Sequence, residues 1–187
     1  QCRLRLVVTG QEGGTDRVGA RVPEHHDFEA VDRFTAGTVG EPGSRLFLFQ
    51  VAAEGVVVTI KGEKQQVAAL AEYLQGVLAD LPDVESDVPV DLALTPPYEP
   101  AWVAGTLSVA YDDGADRIVI VIEEAGDDED EGDGSSVRMR VTRPQVAALV
   151  EHAVELVEGG RPPCPICGNP KGPEHACPRT NGHGPPS

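Results

Sequence analysis

The segment Gln145-Val146-Ala147-Ala148-Leu149 repeats the segment Gln66-Val67-Ala68-Ala69-Leu70 letter for letter. Each copy lies in a run whose apolar residues recur at helical spacing, which predicts an amphipathic helix. The first helix is expected over about residues 63–81, where Pro82 ends it. The second is expected to begin at Thr142, which forms a capping box with Gln145, and to end at Gly159.

Strand-like segments precede both helices in the same order. Ala36-Gly37-Thr38 returns as Ala104-Gly105-Thr106, and the mostly apolar run 45–51 corresponds to 117–122. The run 45–51 has the composition of a strand that is covered on both faces. Third strands are expected at 56–60 and 137–141, and turns at 40–44 and 112–116.

We therefore predict an α+β fold with two tandem strand-strand-strand-helix units, at residues 25–82 and 102–160. Each unit alone would leave its sheet face uncovered, so the two are expected to share one core. The helices would then cover one face of a largely antiparallel sheet. Two sheets packed as a pseudo-twofold pair are the alternative arrangement.

Three further segments lie outside or between these elements. Residues 83–101 contain four prolines and predict a linker with little regular structure. Residues 126–134 carry an acidic run, which is typical of a mobile, solvated loop between two strands. Residues 1–24 begin with Gln1 rather than methionine and are treated as an uncertain N-terminal extension.

Composition excludes several classes of function. The formal net charge of −16 argues against broad binding to nucleic acid or to an anionic membrane. No apolar run has the length of a membrane span, and no catalytic or nucleotide-binding fingerprint is present. His25 and His26 are interpreted as part of a surface loop, and His152 as a solvated side chain on the polar side of its helix.

The C-terminal residues 161–187 contain the one strong chemical motif. Cys164 and Cys167 form a Cys-x-x-Cys pair, and His175 and Cys177 lie two positions apart, so that in an extended segment both point the same way. Thiolates and imidazole are the ligands of tetrahedral zinc, and four protein ligands leave no open position for water. The sequence therefore predicts a structural Zn²⁺ knuckle at these four residues.

Other interpretations of the knuckle are weaker. His183 is an alternative fourth ligand at a looser spacing. A redox Cys-x-x-Cys normally begins a helix, whereas this one follows a helix, and an iron–sulfur cluster usually needs four cysteines. Cysteines gathered in the tail suit a reducing, cytoplasmic compartment better than a disulfide framework.

The chain also carries three blocks of distinctive sequence: DRFTAGTVGEPG at residues 32–43, EKQQVA at 63–68, and PPCPICG at 162–168 with HACPRTNG at 175–182. Together they resemble an actinobacterial family catalogued as domain of unknown function 3090. The resemblance covers roughly residues 25–182 and implies a bacterial cytosolic protein. It implies no activity, so no catalytic residue is carried over from it.

The leading hypothesis is a cytosolic zinc-binding protein that acts as a non-catalytic binding or adaptor module. Its partner would be a protein or a small molecule, docked on a tail that presents Arg179 and Asn181. The alternative is a small-molecule enzyme with a cleft between the two repeats and a structural zinc. Asp32, Arg33 and Thr38 would be the candidate polar groups in that cleft.

Overall fold

The computed structural model describes residues 22–41, 44–82, 91–126, 134–159, 164, 166–167 and 177. Within them are seven strands and two helices: β1 (His25–Phe28), β2 (Arg33–Val39), β3 (Leu46–Ala53), β4 (Val56–Gly62), α1 (Lys64–Ala79), β5 (Trp102–Asp112), β6 (Arg117–Glu124), β7 (Ser136–Val141) and α2 (Arg143–Glu158). The predicted α+β class is confirmed. No helix in the described part of the chain is long and apolar enough to cross a membrane.

The strands form one mixed sheet in the order β1-β7-β6-β5-β4-β3-β2. β2, β3 and β4 are antiparallel neighbours, and so are β5, β6 and β7. A short parallel pairing of β4 with β5 joins the two groups, and β1 pairs in parallel with β7. The expected order of three strands and a helix is therefore present twice.

The sheet curls so that its two end strands approach each other. Six strand spacings of about 4.8 Å would separate β1 from β2 by about 29 Å in a flat sheet. Yet the chain passes from Phe28 to Arg33 in five residue steps, which span at most about 18 Å. α2 packs against both β2 and α1, and a single apolar core draws residues from both groups of strands and both helices.

His25 and His26 lie in β1 and not in the loop that the sequence had indicated. The pair was expected in a surface loop, but both residues lie in a strand whose register places His26 opposite Val137. Four residues are too few to show a strand period, and the pairing partner is more than a hundred residues away in the sequence. No local pattern could therefore have revealed this strand.

β3 is covered on both faces, as its composition predicts. Phe49 and Val51 face the core, while Leu48 and Gln50 face the other side, and all four are fully buried. The second cover is supplied by residues 91–101, which form neither helix nor strand. This segment, which we call the strap, lies across the outer face of β2, β3 and β4.

Buried polar side chains hold the strap to the sheet. Gln50 Nε2 donates to the carbonyl oxygen of Thr95 at 2.7 Å, and the Thr95 amide donates to Gln50 Oε1 at 2.9 Å. Thr35 Oγ1 donates to the Leu92 carbonyl and Thr59 Oγ1 to the Pro97 carbonyl. Because Gln50, Thr35 and Thr59 are all buried, these bonds satisfy polar groups that would otherwise be costly to bury.

β5 departs from simple alternation. Its register shifts between Ala104 and Leu107, so Trp102 and Ala104 are buried on one side of the irregularity and Leu107 and Val109 on the other. Val103 is an even number of positions from Leu107 and Val109, so an unbroken strand would place all three on the same face. Val103 is nevertheless 43% exposed. A bulge adds one residue to a strand and thereby exchanges the faces that follow it.

Candidate metal centre

Three cysteine sulfur atoms converge after the end of α2. The Sγ atoms of Cys164, Cys167 and Cys177 all lie within 4.8 Å of one another, and those of Cys164 and Cys177 are 4.0 Å apart. None of these three cysteines forms a disulfide. Cys164 is buried at 5% exposure, whereas Cys167 and Cys177 are partly exposed.

The spacing of the sulfurs fits a metal ion. Two thiolates bound to one tetrahedral zinc ion at about 2.3 Å lie about 3.8 Å apart. The separation of 4.0 Å between Cys164 and Cys177 is close to that value, and a disulfide would need an S–S distance of only about 2.05 Å. The three cysteines could therefore hold a metal ion together.

The metal centre follows the end of α2 closely in the sequence. The amide of Gly159, the residue after the helix, donates to the Glu155 carbonyl at 2.8 Å. Arg45, just before β3, donates from Nη1 to the Gly159 carbonyl at 2.9 Å. Cys164 follows five positions later, so the metal centre is tethered to a helix end that is itself bound to the sheet.

The fourth ligand expected from the sequence lies outside the described residues. This applies to His175 and equally to its alternative, His183. The assignment of a histidine to the site therefore stays a prediction.

The polar groups proposed for a cleft do not gather. Regular alternation along β2 places Arg33 and Thr38 on opposite faces of the strand. Arg33 instead forms hydrogen bonds to the strap and to β3. Its Nη2 donates to Thr95 Oγ1 at 2.7 Å and to Gln50 Oε1 at 3.1 Å. Asp32 is exposed just before the strand, and its amide donates to the Ala52 carbonyl.

His152 has a role that its sequence position hid. The expectation of a solvated ring is wrong, because Nε2 lies 3.0 Å from the Ala36 carbonyl oxygen on β2. A carbonyl only accepts, so Nε2 carries the proton and donates it. The ring therefore joins α2 to β2, a contact between residues 116 positions apart that no helical wheel could indicate.

Sequence reasoning also missed a charged cluster formed by Tyr111, Asp116 and Arg143. Arg143 Nη2 donates to Asp116 Oδ2 at 2.8 Å, and its Nε lies 2.8 Å from Oδ1. The Tyr111 hydroxyl donates to Asp116 Oδ1 at 2.7 Å. Arg143 Nη1 also donates to the Pro82 carbonyl, so the cluster links the β5–β6 hairpin, the start of α2 and the end of α1.

The hydrogen bonds in this cluster shift all three pKa values. The bond from Arg143, and then that from Tyr111, lowers the pKa of Asp116. Donating to Asp116 raises the pKa of Tyr111, and the same carboxylate raises the pKa of Arg143. Each group is thereby held in its ordinary charge state at neutral pH, which suits a structural tie rather than proton transfer.

A family model described as "Protein of unknown function (DUF3090)" matches residues 26–177. The matched span begins in β1 and ends at Cys177, so it contains all the other strands, both helices and the three converging cysteines. No curated protein and no solved structure matches the chain.

Proposed function

The chain belongs to the DUF3090 family of proteins of unknown function, and from its own cysteines we propose that it is a non-catalytic zinc protein serving as a binding or adaptor module. One structural Zn²⁺ would be held by four side chains of the C-terminal tail: Cys164, Cys167, His175 and Cys177. The observation that carries the proposal is the convergence of three sulfur atoms within 4.8 Å.

The chemistry of the ligands favours zinc. Ca²⁺ and Mg²⁺ prefer oxygen ligands, whereas thiolates prefer softer ions such as Zn²⁺. Three thiolates and one imidazole would complete a tetrahedron and leave no position for a reacting water, as in structural zinc sites. A reducing compartment such as the cytoplasm suits this role, because zinc binds thiolates and not disulfides.

The tail is proposed as the surface for a partner. Residues 161–187 carry Arg161, Lys171 and Arg179 against Glu174, in a chain whose net charge is −16. A locally basic segment on an acidic protein attracts acidic groups. The partner would accordingly be an acidic protein segment or a phosphate-bearing small molecule, and not a broad nucleic-acid or membrane surface.

We further propose that the body arose by tandem duplication, with units at 25–82 and 102–160. The supporting contacts come from the two repeated glutamines. Gln66 Oε1 accepts from the Glu63 amide, and Gln66 Nε2 donates to the carbonyls of Ala104 and Gly105 at the β5 irregularity. Gln145 Oε1 accepts from the Thr142 amide, and Gln145 Nε2 donates to the Val31 carbonyl between β1 and β2.

Each repeated glutamine thus caps the N-terminus of its helix and also donates a hydrogen bond to a backbone carbonyl near the point where the chain passes from one group of strands to the other. The parallel pairings support the same correspondence. Trp102 pairs with Ile60 where β5 meets β4, and Phe28 pairs with Met139 where β1 meets β7. Both aromatic residues are 4% exposed, so β1 and the start of β5 occupy matching positions in the core.

Metal analysis of the purified full-length chain tests the proposed function. We expect about one equivalent of zinc, and Cys167→Ser should lose it because three remaining ligands hold the ion poorly. Cys2→Ser removes a cysteine outside the tail and is the matched control, with zinc retained. A wild-type chain without zinc, or a Cys167→Ser chain that keeps it, would overturn the proposal.

A further inference from the structure

The three cysteines of the metal centre differ in their access to solvent. Cys167 and Cys177 are partly exposed, whereas Cys164 is 5% exposed, and the Sγ atoms of Cys164 and Cys177 are 4.0 Å apart. An exposed sulfur beside a buried one is the arrangement in which an oxidant reaches one thiolate and the neighbouring thiolate completes a disulfide.

We propose that this centre is also an oxidation site, at which a hydroperoxide such as hydrogen peroxide joins Cys177 to Cys164 and expels the metal. The inference rests on the proposed zinc function, because bound Zn²⁺ keeps both sulfurs as thiolates, the form that attacks peroxide. It adds a covalent modification that responds to peroxide to a site that otherwise only stabilises the tail.

The reaction proceeds in two balanced steps. The Cys177 thiolate attacks one peroxide oxygen and breaks the O–O bond, giving a sulfenic acid and a hydroxide that takes a proton to become water. The Cys164 thiolate then attacks the Cys177 sulfur and displaces a second hydroxide, which is likewise protonated. Two thiolates, one hydrogen peroxide and two protons yield one disulfide and two waters, while Zn²⁺ leaves unchanged in oxidation state.

The geometry allows this pair to react. Bringing the two sulfurs from 4.0 Å to the disulfide length of about 2.05 Å needs a movement of about 2 Å. A disulfide cannot supply the two thiolate ligands that zinc loses, so oxidation and metal binding exclude each other. The segment between residues 164 and 177 would thereby exchange a metal crosslink for a covalent one.

The test uses the full-length chain with Cys2→Ser, so that only the three tail thiols remain. Zinc content is measured first, and hydrogen peroxide is then added while a chromogenic chelator reports released zinc. We expect release of about one equivalent. Peptide mass mapping without reductant should find Cys164 linked to Cys177, with a mass decrease of two hydrogen atoms. Dithiothreitol followed by zinc should restore the metal.

Two variants, studied metal-free, identify the reacting pair without relying on zinc retention. Cys167→Ser keeps both proposed partners and should still form the Cys164–Cys177 disulfide. Cys177→Ser removes the attacking sulfur and should form any disulfide more slowly at the same peroxide concentration. A Cys164–Cys167 disulfide in the parent chain would overturn the assignment.

The two proposals fail in distinguishable ways. A chain that binds zinc and keeps it in the presence of peroxide contradicts the oxidation site and leaves the zinc proposal standing. A chain without zinc before any peroxide is added contradicts the zinc proposal, and the inference built on it falls as well.

Discussion

Asp116 shows how single residues hold this fold together. It takes a left-handed backbone conformation with φ of 51° in the turn between β5 and β6, and its two carboxylate oxygens face Arg143 and Tyr111. Asp is one of the few residue types that tolerate such a φ. The sequence indicated the turn but not the ion pair, because Arg143 lies 27 positions away.

The pKa shifts in this cluster predict two limbs of pH dependence. The pKa of Asp116 is lowered, so its contribution to stability is present above the usual value of 3.8 and is lost as pH falls through the lowered one. The pKa of Tyr111 is raised, so its contribution is present below 10.0 and is lost as pH rises through the raised value.

Urea unfolding across pH tests both limbs. Asp116→Asn should lose stability relative to wild type at neutral pH, and the difference should shrink in acid. Tyr111→Phe should differ from wild type near neutral pH, and the difference should begin to shrink as pH rises above 10.0. Differences that stay constant across the whole range would show that these side chains do not titrate against each other.

The fourth metal ligand is also a question about one residue. His175→Ala should release zinc because it opens the tetrahedral site, whereas His183→Ala should retain about one equivalent. Zinc analysis of the two purified variants decides between them. Loss of metal only in His183→Ala would move the ligand to that position.

At the scale of elements, the helix starts were the most predictable part of the fold. The apolar stripes and the Thr142–Gln145 box placed α1 and α2 within about two residues of their observed bounds, since these signals are local. The strands next to them were predictable for the same reason. β1 and the β5 irregularity were not, because a short parallel pairing and a bulge depend on partners distant in sequence.

The metal centre divides in the same way. The spacing of Cys164, Cys167 and Cys177 indicated that they bind one metal ion, and their sulfurs do converge. Which sulfur is buried was not predictable, since burial depends on the packing of the chain and not on motif spacing. The same limit hid the strap, whose proline-rich sequence indicated only irregular structure.

The capping glutamines provide a test at this scale. Gln66→Ala removes bonds to Glu63, Ala104 and Gly105 from a site that is 1% exposed, so it should destabilise the protein by about 1–3 kcal/mol. Its neighbour Gln65 is exposed on the same helix, and Gln65→Ala should change stability by no more than about 0.5 kcal/mol. Urea unfolding of the two variants makes the comparison, and equal effects would contradict this role.

The acidic run between β6 and β7 is expected to add charge and little stability. The prediction of a mobile loop covers residues 126–134, of which 127–133 lie outside the described residues. Arg138 and Arg140 already pair with Asp27, and Arg140 also with Glu29, so they do not need the acidic run as a partner.

Replacing residues 127–133 by a short Gly-Ser linker should therefore change the free energy of unfolding by no more than about 0.5 kcal/mol. Thermal and urea unfolding measure it. A much larger loss would mean that these carboxylates bind a cation or brace β7.

At the scale of the whole molecule, the body and the tail have different sources of stability. The body has one apolar core built from both groups of strands and both helices. The tail, residues 161–187, has few apolar residues, and zinc binding would supply the free energy that a core supplies elsewhere. Loss of the metal should therefore affect the tail and spare the body.

Limited proteolysis of Cys167→Ser tests this division. We expect cleavage near residues 159–163 and a resistant fragment that keeps the unfolding midpoint of the wild-type body. The Cys2→Ser control should resist cleavage there. If the body unfolds when the metal is lost, the tail is packed into the fold, and the adaptor proposal would then be wrong.

The most direct test of the zinc centre is X-ray absorption at the zinc edge on the purified full-length chain. We expect a first coordination shell of three sulfurs at about 2.3 Å and one nitrogen at about 2.0–2.1 Å. A shell of oxygen and nitrogen alone, or a chain that carries no zinc to measure, would contradict a metal centre built on Cys164, Cys167 and Cys177.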